Sequence, residues 1–510
     1  MPPIPPTLKR LVMAFFFLTI VVGVSVVVFK SRKEKDDSPT EDVTINVTSP
    51  RASACTHHSD QRVLQTNTVV ASIFEDNLVM QRDAHVPVWG WDVPGMVVSA
   101  SIGNWSSNTT SDARGCWEVI VPPHGGGHSS YTLNVRGTSS QEIRNVVFGD
   151  VWICSGQSNM EQTVERADAT ADRYVLPTIF KPRDSRIRSF RVAPFGTIEG
   201  PQSLSPSRIW RIASTWSEAR LFSAVAYHFA LRYLEDEDIP IGLVTVAMGA
   251  SGIETWIPRA HYDFSPDAGS VAWGVDMRPS ALYNGMVHPV TPFRARGFLW
   301  YQGESNFKGR RYEDKMNALL SGWRSAWNRP NMPFYYVQVA PLGFPTLRCD
   351  VWKPQLRFFM SHVNVGMVAT HDLQRSEDLW HPPDKPEIGR RLALWALAER
   401  GFVNVAAGPV PLSWAGSGRE ATVFFSDADL ECSDSEDCTP SDFEVADEDG
   451  TYAAAARTRI EGSAVIVTCG HCRTVAGVRM GWRALPSINL RNSRGLPAYP
   501  FELGHETSCT

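Results

Sequence analysis

The chain has 510 residues, a hydrophobic fraction of 43% and a formal net charge of −5 at neutral pH. That length allows two or more domains with sizeable hydrophobic cores. The only basic tract flanks an apolar segment near the amino terminus, so we expect no nucleic-acid partner. The sequence contains 17 tryptophans. Such residues can stack on sugars, although we expect most of them to fill β-rich cores.

The amino terminus carries an uninterrupted apolar run over residues 11–29. Its ~19 residues could cross a bilayer core, and no small-residue cleavage site follows it. We therefore predict that residues 1–30 form an uncleaved signal anchor. A protein secreted after signal cleavage is the alternative.

Two features of the sequence predict opposite orientations for this anchor. Basic residues after the run favour a cytoplasmic body. Sequons for N-glycosylation at Asn46, Asn104 and Asn108 favour a body in the secretory lumen, a lysosome or the extracellular space. We favour the second orientation.

Four further segments follow the anchor. Residues 31–65 are charged and rich in Ser, Thr and Pro, which predicts a flexible stalk. Residues 66–146 contain short runs of β-formers punctuated by Gly and Pro, which predicts a β-rich, sandwich-like module. Strand and helix patterns alternate over residues 147–400, which indicates a parallel sheet covered on both faces. Residues 401–510 are β-rich again.

The alternating region yields specific predictions of helices and strands. We expect helices over residues 217–234 and 312–327 and strands over residues 239–246, 334–339 and 365–370. Another helix should begin after Asp384, which can cap it, with Glu387 placed as in a capping box. A helix start fixed in this way would hold the loop that precedes it.

One strand of this region leads into a polar turn that contains a serine. The β-forming run over residues 146–153 is followed by Ser155-Gly156-Gln157-Ser158-Asn159-Met160. Ligands bind at the carboxyl ends of strands in open α/β sheets, so Ser158 is a candidate nucleophile. The turn is not the G-x-S-x-G elbow, because Met160 replaces the second glycine.

Partners for this serine occur later in the chain. The run over residues 296–301 is followed by the polar cluster Gln302-Gly303-Glu304-Ser305-Asn306. Asp378 precedes His381 by three residues, a spacing that allows a carboxylate to orient an imidazole base within one short segment.

Nine cysteines are present, an odd number, so at least one is free or paired between chains. We expect Cys154 to be a buried free thiol. The cluster Cys432, Cys438, Cys469 and Cys472 could bind zinc, but disulfides are favoured in an oxidising compartment. We predict no metal site and no cofactor.

Taken together and in order, these blocks resemble the sialate O-acetylesterase family of the SGNH (GDSL-type) hydrolases. The matching segments span about residues 66 to 505; they are Val79-Met80-Gln81-Arg82, Val88-Trp89-Gly90-Trp91, Gly149-Asp150-Val151-Trp152, Ser155 to Met160, Leu282-Tyr283-Asn284, His288-Pro289, Trp300 to Asn306, His381-Pro382, Asp384-Lys385, Gly495-Leu496-Pro497-Ala498 and Pro500-Phe501. The resemblance implies an SGNH-type three-layer α/β/α hydrolase domain, flanked by the β-rich modules.

The resemblance also implies roles for particular residues. Ser158 would be the nucleophile and His381 its base, with Asp378 as the orienting acid and Glu304 as its rival. The oxyanion hole would use the backbone N–H groups of Ser158 and Gly249 and the side-chain amide of Asn306. Here Ala250 departs from the family's usual glycine. A backbone donor survives this exchange if φ at Ala250 stays negative, so the departure weakens the assignment without removing it. Gln157, Gln302, Asn284 and His288 would shape or support the pocket.

Two classes of function remain open. The first is a serine esterase that removes O-acetyl groups from carbohydrates, with sialic acids as the family's substrate and acetylated polysaccharides of the xylan or pectin type as the alternative. The second is a catalytically silent, membrane-anchored carbohydrate-binding protein. The presence of Ser158, His381 and Asn306 favours the esterase. The sequence does not indicate the oligomeric state.

Overall fold

The computed structural model describes residues 54–57, 66–170, 184–205, 209–264, 271–272, 274–307, 311–344, 346–376, 379–433 and 438–506. The predicted anchor, most of the predicted stalk, Asn46 and Asp378 lie outside these residues. Within the described part of the chain, no helix is long and apolar enough to cross a membrane.

The first strands belong to two sheets. The strands are β1 (Val69–Val70), β2 (Val79–Gln81), β3 (Val86–Trp91), β4 (Val97–Ile102), β5 (Trp105–Thr110), β6 (Cys116–Val121), β7 (Gly127–Arg136) and β8 (Ser140–Gly156). The first sheet has the antiparallel order β1-β3-β6. In the second, β4 pairs with β5 and β7, and β7 pairs with the first part of β8. The region is β-rich, as the sequence predicts.

A short helix, α1 (Ala54–His57), packs onto this region. Ala54 is buried, and a disulfide joins Cys55 to Cys116 of β6. These four residues lie in the segment predicted as a flexible stalk, and the disulfide ties them to the β-rich region.

The second part of β8 lies in the middle of a parallel sheet. The other strands are β9 (Ile187–Arg191), β10 (Trp210–Ile212), β11 (Ile241–Ala247), β14 (Gly297–Tyr301), β15 (Phe334–Val337) and β16 (Val365–Val368), with a separate hairpin of β12 (Val271–Ala272) and β13 (Val275–Asp276). The order is β10-β9-β11-β8-β14-β15-β16. Every neighbouring pair is parallel except β9 with the edge strand β10.

Helices pack on both faces of this sheet, as predicted. They are α2 (Ser158–Glu161), α3 (Val164–Thr170), α4 (Trp216–Ala219), α5 (Ala224–Tyr233), α6 (Tyr312–Ala326), α7 (Lys353–Ser361) and α8 (Lys385–Glu399). Trp300 of β14 contacts Trp323 of α6 on one face. Leu299, the preceding residue of the strand, lies in a hydrophobic cluster with residues of α5 and α8 on the other face. Successive strand residues point to opposite faces, so the fully buried strands require both layers.

Short 3₁₀- or π-helical segments occur between these elements. They are Ile253–Trp256, Arg259–His261, Tyr283–Val287, His288–Val290, Glu304–Asn306, Arg348–Trp352 and His371–Leu373.

The single helix predicted over residues 217–234 is wrong. The structure has two helices, α4 and α5, because Ser223 starts a new one by accepting a hydrogen bond from the N–H of Ala226. A serine in this position satisfies a backbone donor that has no partner within the helix.

The carboxyl-terminal region is β-rich, as predicted. Its strands are β17 (Pro411–Ser417), β18 (Glu420–Phe425), β19 (Leu430–Cys432), β20 (Phe443–Ala446), β21 (Tyr452–Ala454), β22 (Arg457–Glu461), β23 (Ala464–Thr468), β24 (Gly477–Met480), β25 (Leu490–Asn492) and β26 (Phe501–Gly504). Two four-stranded sheets, β17-β18-β23-β22 and β21-β20-β24-β26, pack together through Phe425 and Phe501, whose ring centroids are 5.9 Å apart.

The cysteines show the buried free thiol and the disulfides that the sequence favoured. Cys154 is a buried free thiol, and burial raises its pKa. Disulfides join Cys432 to Cys438 and Cys469 to Cys472. These four sulfurs are therefore not a zinc site.

Candidate active site

The turn after β8 places Ser158 at the carboxyl edge of the parallel sheet. Gly156 has a φ of +135°, and a Cβ there would collide with the backbone carbonyl of Tyr301 in the neighbouring strand. The next residue, Gln157, donates its N–H to that same carbonyl at 3.0 Å. Only glycine permits this close approach. Ser158 then begins α2, where its own N–H has no acceptor within the helix.

Ser158 and His381 are brought together from opposite ends of the domain. Nε2 of His381 lies 2.9 Å from Oγ of Ser158. Burial, together with the positive charges of Lys385 and Arg166, lowers the pKa of His381 below its usual value. A neutral imidazole can accept the hydroxyl proton, which is the geometry that a serine nucleophile and its base require.

The helix that follows His381 begins as predicted. Oδ1 of Asp384 accepts a hydrogen bond from the N–H of Glu387 at 3.0 Å, and Pro386 lies in the first turn of α8. Ile388 and Leu392 are buried in the hydrophobic cluster that α8 forms with α5 and the parallel sheet. The cap and this apolar face fix the helix start and therefore the loop that carries His381.

The two acids that could orient His381 are placed differently. Asp378 lies outside the described residues, and within them no carboxylate hydrogen-bonds Nδ1 of His381. Glu304 is fully buried, with Oε1 2.5 Å from Nδ2 of Asn159 and Oε2 without a hydrogen-bond partner. Burial raises the pKa of Glu304. The carboxylate of Glu304 therefore accepts from the side chain of Asn159, which follows Ser158, and not from the imidazole of His381.

Asn159 connects three parts of the site, a role that the sequence analysis missed. Its Nδ2 donates to Glu304 and, at 3.0 Å, to the backbone carbonyl of Trp380, the residue before His381. Its Oδ1 accepts from Nζ of Lys385. Burial lowers the pKa of Lys385 to about 7. The only sequence signals were the position of Asn159 beside Ser158 and of Lys385 beside the helix cap.

The structure brings Gly249 next to Ser158, but its backbone N–H is already used. A Cβ on Gly249 would lie 3.6 Å from Cβ of Ser158. The N–H donates to Oε2 of Glu161 at 2.8 Å, while Oε1 of Glu161 pairs with Arg191 at 3.1 Å. A carboxylate therefore occupies a donor that was expected to face a developing oxyanion, and nothing in the sequence analysis pointed to Glu161.

Asn306 is buried at the same edge and uses both ends of its amide. Its Oδ1 accepts from Nε2 of Gln302 at 2.6 Å and from the N–H of Ile253 at 3.0 Å. Its Nδ2 donates to Glu254 at 2.9 Å, which is also paired with Lys315 at 2.5 Å. Two donors on Oδ1 and a carboxylate on Nδ2 fix the orientation of the amide.

Ala250 does not have the negative φ that the sequence comparison required of it. Its φ is +54° rather than negative. In this left-handed region a Cβ approaches the following carbonyl oxygen, which costs roughly 1–2 kcal/mol for an L-residue. The position therefore favours glycine, and alanine is tolerated there with strain.

The four residues predicted to support the pocket fall into two groups. Oε1 of Gln157 accepts from the N–H of Ser305 at 3.1 Å and from Gln302 at 3.3 Å, so this pair ties two loops together. Asn284 donates to the carbonyl of Thr197 at 3.0 Å, and Nδ1 of His288 lies 2.8 Å from the carbonyl of Gln202. Asn284 and His288 thus hold the loop after β9.

The two sequons in the described part of the chain are accessible. Asn104 lies in the turn between β4 and β5, and Asn108 lies on β5; both are exposed.

Known proteins that are similar to this chain include carbohydrate esterases. Residues 148–397 match the family model described as "Carbohydrate esterase, sialic acid-specific acetylesterase". The chain is 26% identical over 392 residues to the sialate O-acetylesterase of Homo sapiens, covering 67% of this chain and 73% of the relative. It is 25% identical over 494 residues to that of Pongo abelii, covering 84% and 91%.

A solved structure extends the similarity beyond the matched region. The crystal structure of a carbohydrate acetylesterase from Xanthomonas citri superposes with a TM-score of 0.76 at 29% identity, covering 86% of this chain and 100% of that chain. The fold is thus a mixed α/β fold similar to that of a carbohydrate acetylesterase. Residues 148–397 are thus similar to the sialic acid-specific acetylesterases among the carbohydrate esterases, and the chain is a carboxylic ester hydrolase.

Proposed function

We propose that this protein is a serine esterase that hydrolyses O-acetyl esters on carbohydrates, with O-acetylated sialic acids as the principal substrate. The observation that carries the proposal is the 2.9 Å contact between Oγ of Ser158 and Nε2 of His381. The substrate comes from the similarity to the sialate O-acetylesterases and to the family model.

The first half of the reaction forms an acetyl-enzyme. His381 takes the hydroxyl proton of Ser158 as Oγ attacks the acetyl carbonyl carbon, giving a tetrahedral oxyanion. The bond between the acetyl carbon and the sugar oxygen then breaks, and the imidazolium protonates that oxygen as it leaves, giving the free sugar hydroxyl.

The second half repeats these steps with water. His381 removes a proton from a water molecule as its oxygen attacks the acetyl carbon, and the collapse of the second oxyanion releases acetate and restores Ser158. A base with a lowered pKa remains unprotonated at neutral pH, which suits both attacks.

We assign the oxyanion donors as the N–H of Ser158, the N–H of Gly249 and the amide of Asn306. The positive φ of Ala250 does not meet the condition stated for the second donor, and what supports that donor is the position of Gly249 beside Ser158. A donor of this kind contributes roughly 3 kcal/mol to stabilising the transition state where tested in other enzymes. The carboxylate of Glu161 must leave Gly249 before that N–H can act. Nδ2 of Asn306 already contacts both carboxylate oxygens of Glu254, at 2.9 and 3.1 Å, so an oxyanion would compete with Glu254 for this donor.

We assign Asp378 as the acid that orients His381, since an Asp three residues before a His needs no long-range placement. Glu304 would support the site indirectly: Asn159 links its carboxylate to the backbone carbonyl of Trp380.

We further propose the SGNH type for the hydrolase domain over residues 147–400, with separate modules over residues 66–146 and 401–510. Residues 1–30 would anchor the protein in a membrane, leaving the body in the secretory lumen, a lysosome or the extracellular space. The disulfides of the body support an oxidising compartment.

A second substrate class, acetylated polysaccharides, is supported by the relative from Xanthomonas citri, which is described only as a carbohydrate acetylesterase. The Ser158–His381 contact weighs against a silent carbohydrate-binding protein, because binding alone does not require it.

The test is acetate release by the full chain from O-acetylated sialic acids, acetylated xylan and acetylated pectin. We expect the highest kcat/KM on the sialic acids and loss of activity in Ser158→Ala and His381→Ala. Asp238→Ala removes an exposed charge from the amino-terminal side of β11 and is the matched control. Preference for xylan or pectin would reassign the substrate, and inactivity towards all three would reject the esterase.

A further inference from the structure

Three aromatic side chains, Phe307, Phe344 and Trp380, form a cluster at the carboxyl edge of the sheet, which we call the rim cluster. The rings of Phe307 and Phe344 are stacked, with centroids 3.9 Å apart. The ring of Trp380 lies 5.4 Å from Phe344 and 6.1 Å from Phe307. The two phenylalanines are half-buried, whereas 42% of Trp380 is exposed.

The rim cluster is built from the same loops as the candidate active site. Trp380 immediately precedes His381, and Phe307 immediately follows Asn306. Nδ2 of Asn159 holds the backbone carbonyl of Trp380 at 3.0 Å. The exposed indole is therefore attached to the loop of the base and fixed to the turn of the nucleophile.

Among the described tryptophans, only Trp380 and Trp216 are exposed, at 42% and 40%. The largest fully buried side chains include ten tryptophans, among them Trp152, Trp300 and Trp323. Isolated exposed apolar residues are common on protein surfaces. An indole that is supported by two stacked rings, on the loop that carries the base, is instead an open apolar surface held in a defined place.

We propose that the rim cluster is a sugar-binding subsite, in which the indole of Trp380 packs on the apolar C–H face of the pyranose ring that carries the acetyl ester. This inference rests on the proposed function. A pyranose has hydroxyl groups at its periphery and C–H groups on its faces. Aromatic rings bury such faces at low conformational cost, while the hydroxyl groups remain hydrated.

The position of the cluster suits this ligand. During attack by Ser158, the sugar is only one ester linkage from the carbonyl carbon, so its ring must lie beside the nucleophile. Phe307 and Phe344 limit the movement of the indole and reduce the entropy lost when a ring packs on it. The subsite would increase the affinity for acetylated sugars over acetate esters that lack a ring.

The experiment compares two substrates in the full chain. One is an O-acetylated sialic acid; the other is ethyl acetate, which has the same acetyl group but no ring. We expect Trp380→Ala to reduce kcat/KM for the acetylated sugar about tenfold, mainly through KM, and to change that for ethyl acetate less than twofold. For Trp380→Phe, the kcat/KM for the acetylated sugar should lie between those of the wild type and Trp380→Ala. Phe344→Ala should lose less of the preference for the acetylated sugar than Trp380→Ala does.

Phe402→Ala is the matched control, because Phe402 is 47% exposed and follows the far end of α8. It should leave both substrates unaffected. Equal losses on both substrates in Trp380→Ala would show that Trp380 only positions His381 and would overturn the subsite, as would no loss on either. A wild-type enzyme that cleaves ethyl acetate but no acetylated sugar would instead reject the proposed function itself.

Discussion

The carboxylate of Glu161 accepts a hydrogen bond from the backbone N–H of Gly249 at 2.8 Å, beside Ser158. The same carboxylate is paired with Arg191, which is half-buried. An oxyanion that uses this N–H must displace a negatively charged acceptor, and breaking such a contact costs free energy during the reaction.

Removal of this carboxylate should increase activity. We expect Glu161→Ala to raise kcat/KM for a small neutral acetate ester about fivefold, since the displaced hydrogen bond costs ~1 kcal/mol. Glu161→Gln keeps an acceptor and should have a smaller effect. Glu165→Ala, which removes an exposed acid of α3, is the control. A slower Glu161→Ala enzyme would mean that Glu161 is needed to hold the loop of Gly249.

The two candidate acids can be separated by conservative amide substitutions. If Asp378 holds Nδ1 of His381, Asp378→Asn should favour the wrong tautomer and reduce turnover by several orders of magnitude; the loss is about 10⁴-fold for the equivalent change in another serine hydrolase. Glu304→Gln should have a smaller effect, because Asn159 can still bond to the new amide. The reverse ranking, in variants shown by thermal unfolding to be folded, would assign the orienting role to Glu304.

The lowered pKa of His381 predicts the acid limb of the pH profile. The base must be neutral, so kcat/KM for a neutral ester should fall as the pH decreases through the pKa of His381, which lies below its usual value of 6.5. The cation of Lys385 is one cause of that shift. Removing it together with its neighbouring acid, in Lys385→Met with Glu304→Gln, should move the acid limb to higher pH. An acid limb at or above pH 6.5 in the wild type would contradict the assignment.

The left-handed conformation of Ala250 predicts a stabilising substitution. Ala250→Gly removes the steric cost at a φ of +54°, and Ala250 is exposed, so little packing is lost. We expect the free energy of unfolding to rise by about 0.5–1 kcal/mol in urea titrations. Ala247→Gly, in the buried strand β11, should lower it. A lower free energy of unfolding in Ala250→Gly would contradict the inference that the backbone is strained at Ala250.

The proposed luminal orientation predicts N-glycans on the exposed Asn104 and Asn108. Treatment with an N-glycosidase should increase the gel mobility of protein made in mammalian cells, and Asn108→Gln should reduce the size of the shift. An absence of any shift, together with digestion of the body by protease added outside sealed microsomes, would favour a cytoplasmic body.

The sequence predicted the parts of this protein that local rules determine. The capped start of α8 at Asp384 follows from residue types within one helical turn, and the contact between Ser158 and His381 follows from strand ends that meet at one edge of a parallel sheet. The break before α5 was missed, because Ser223 lies within an otherwise continuous helical pattern.

The charged interactions around the site could not be predicted in this way. Glu161 meets Gly249, and Asn159 meets both Glu304 and Lys385, across separations of 88, 145 and 226 residues. No spacing rule connects positions so far apart in the chain. Such pairs depend on the three-dimensional arrangement of loops, which only the structure provides.

The strand β8 has a consequence for attempts to divide this protein. Its residues 147–149 pair with β2, residues 150–156 pair with β11, and its earlier part pairs with β7. A fragment that begins near residue 148, where the family match starts, would cut this strand and leave the backbone of its neighbours unpaired. The upstream β-rich region thus shares a continuous strand with the hydrolase, and we expect an exchange between relatives to succeed only when the two are moved together.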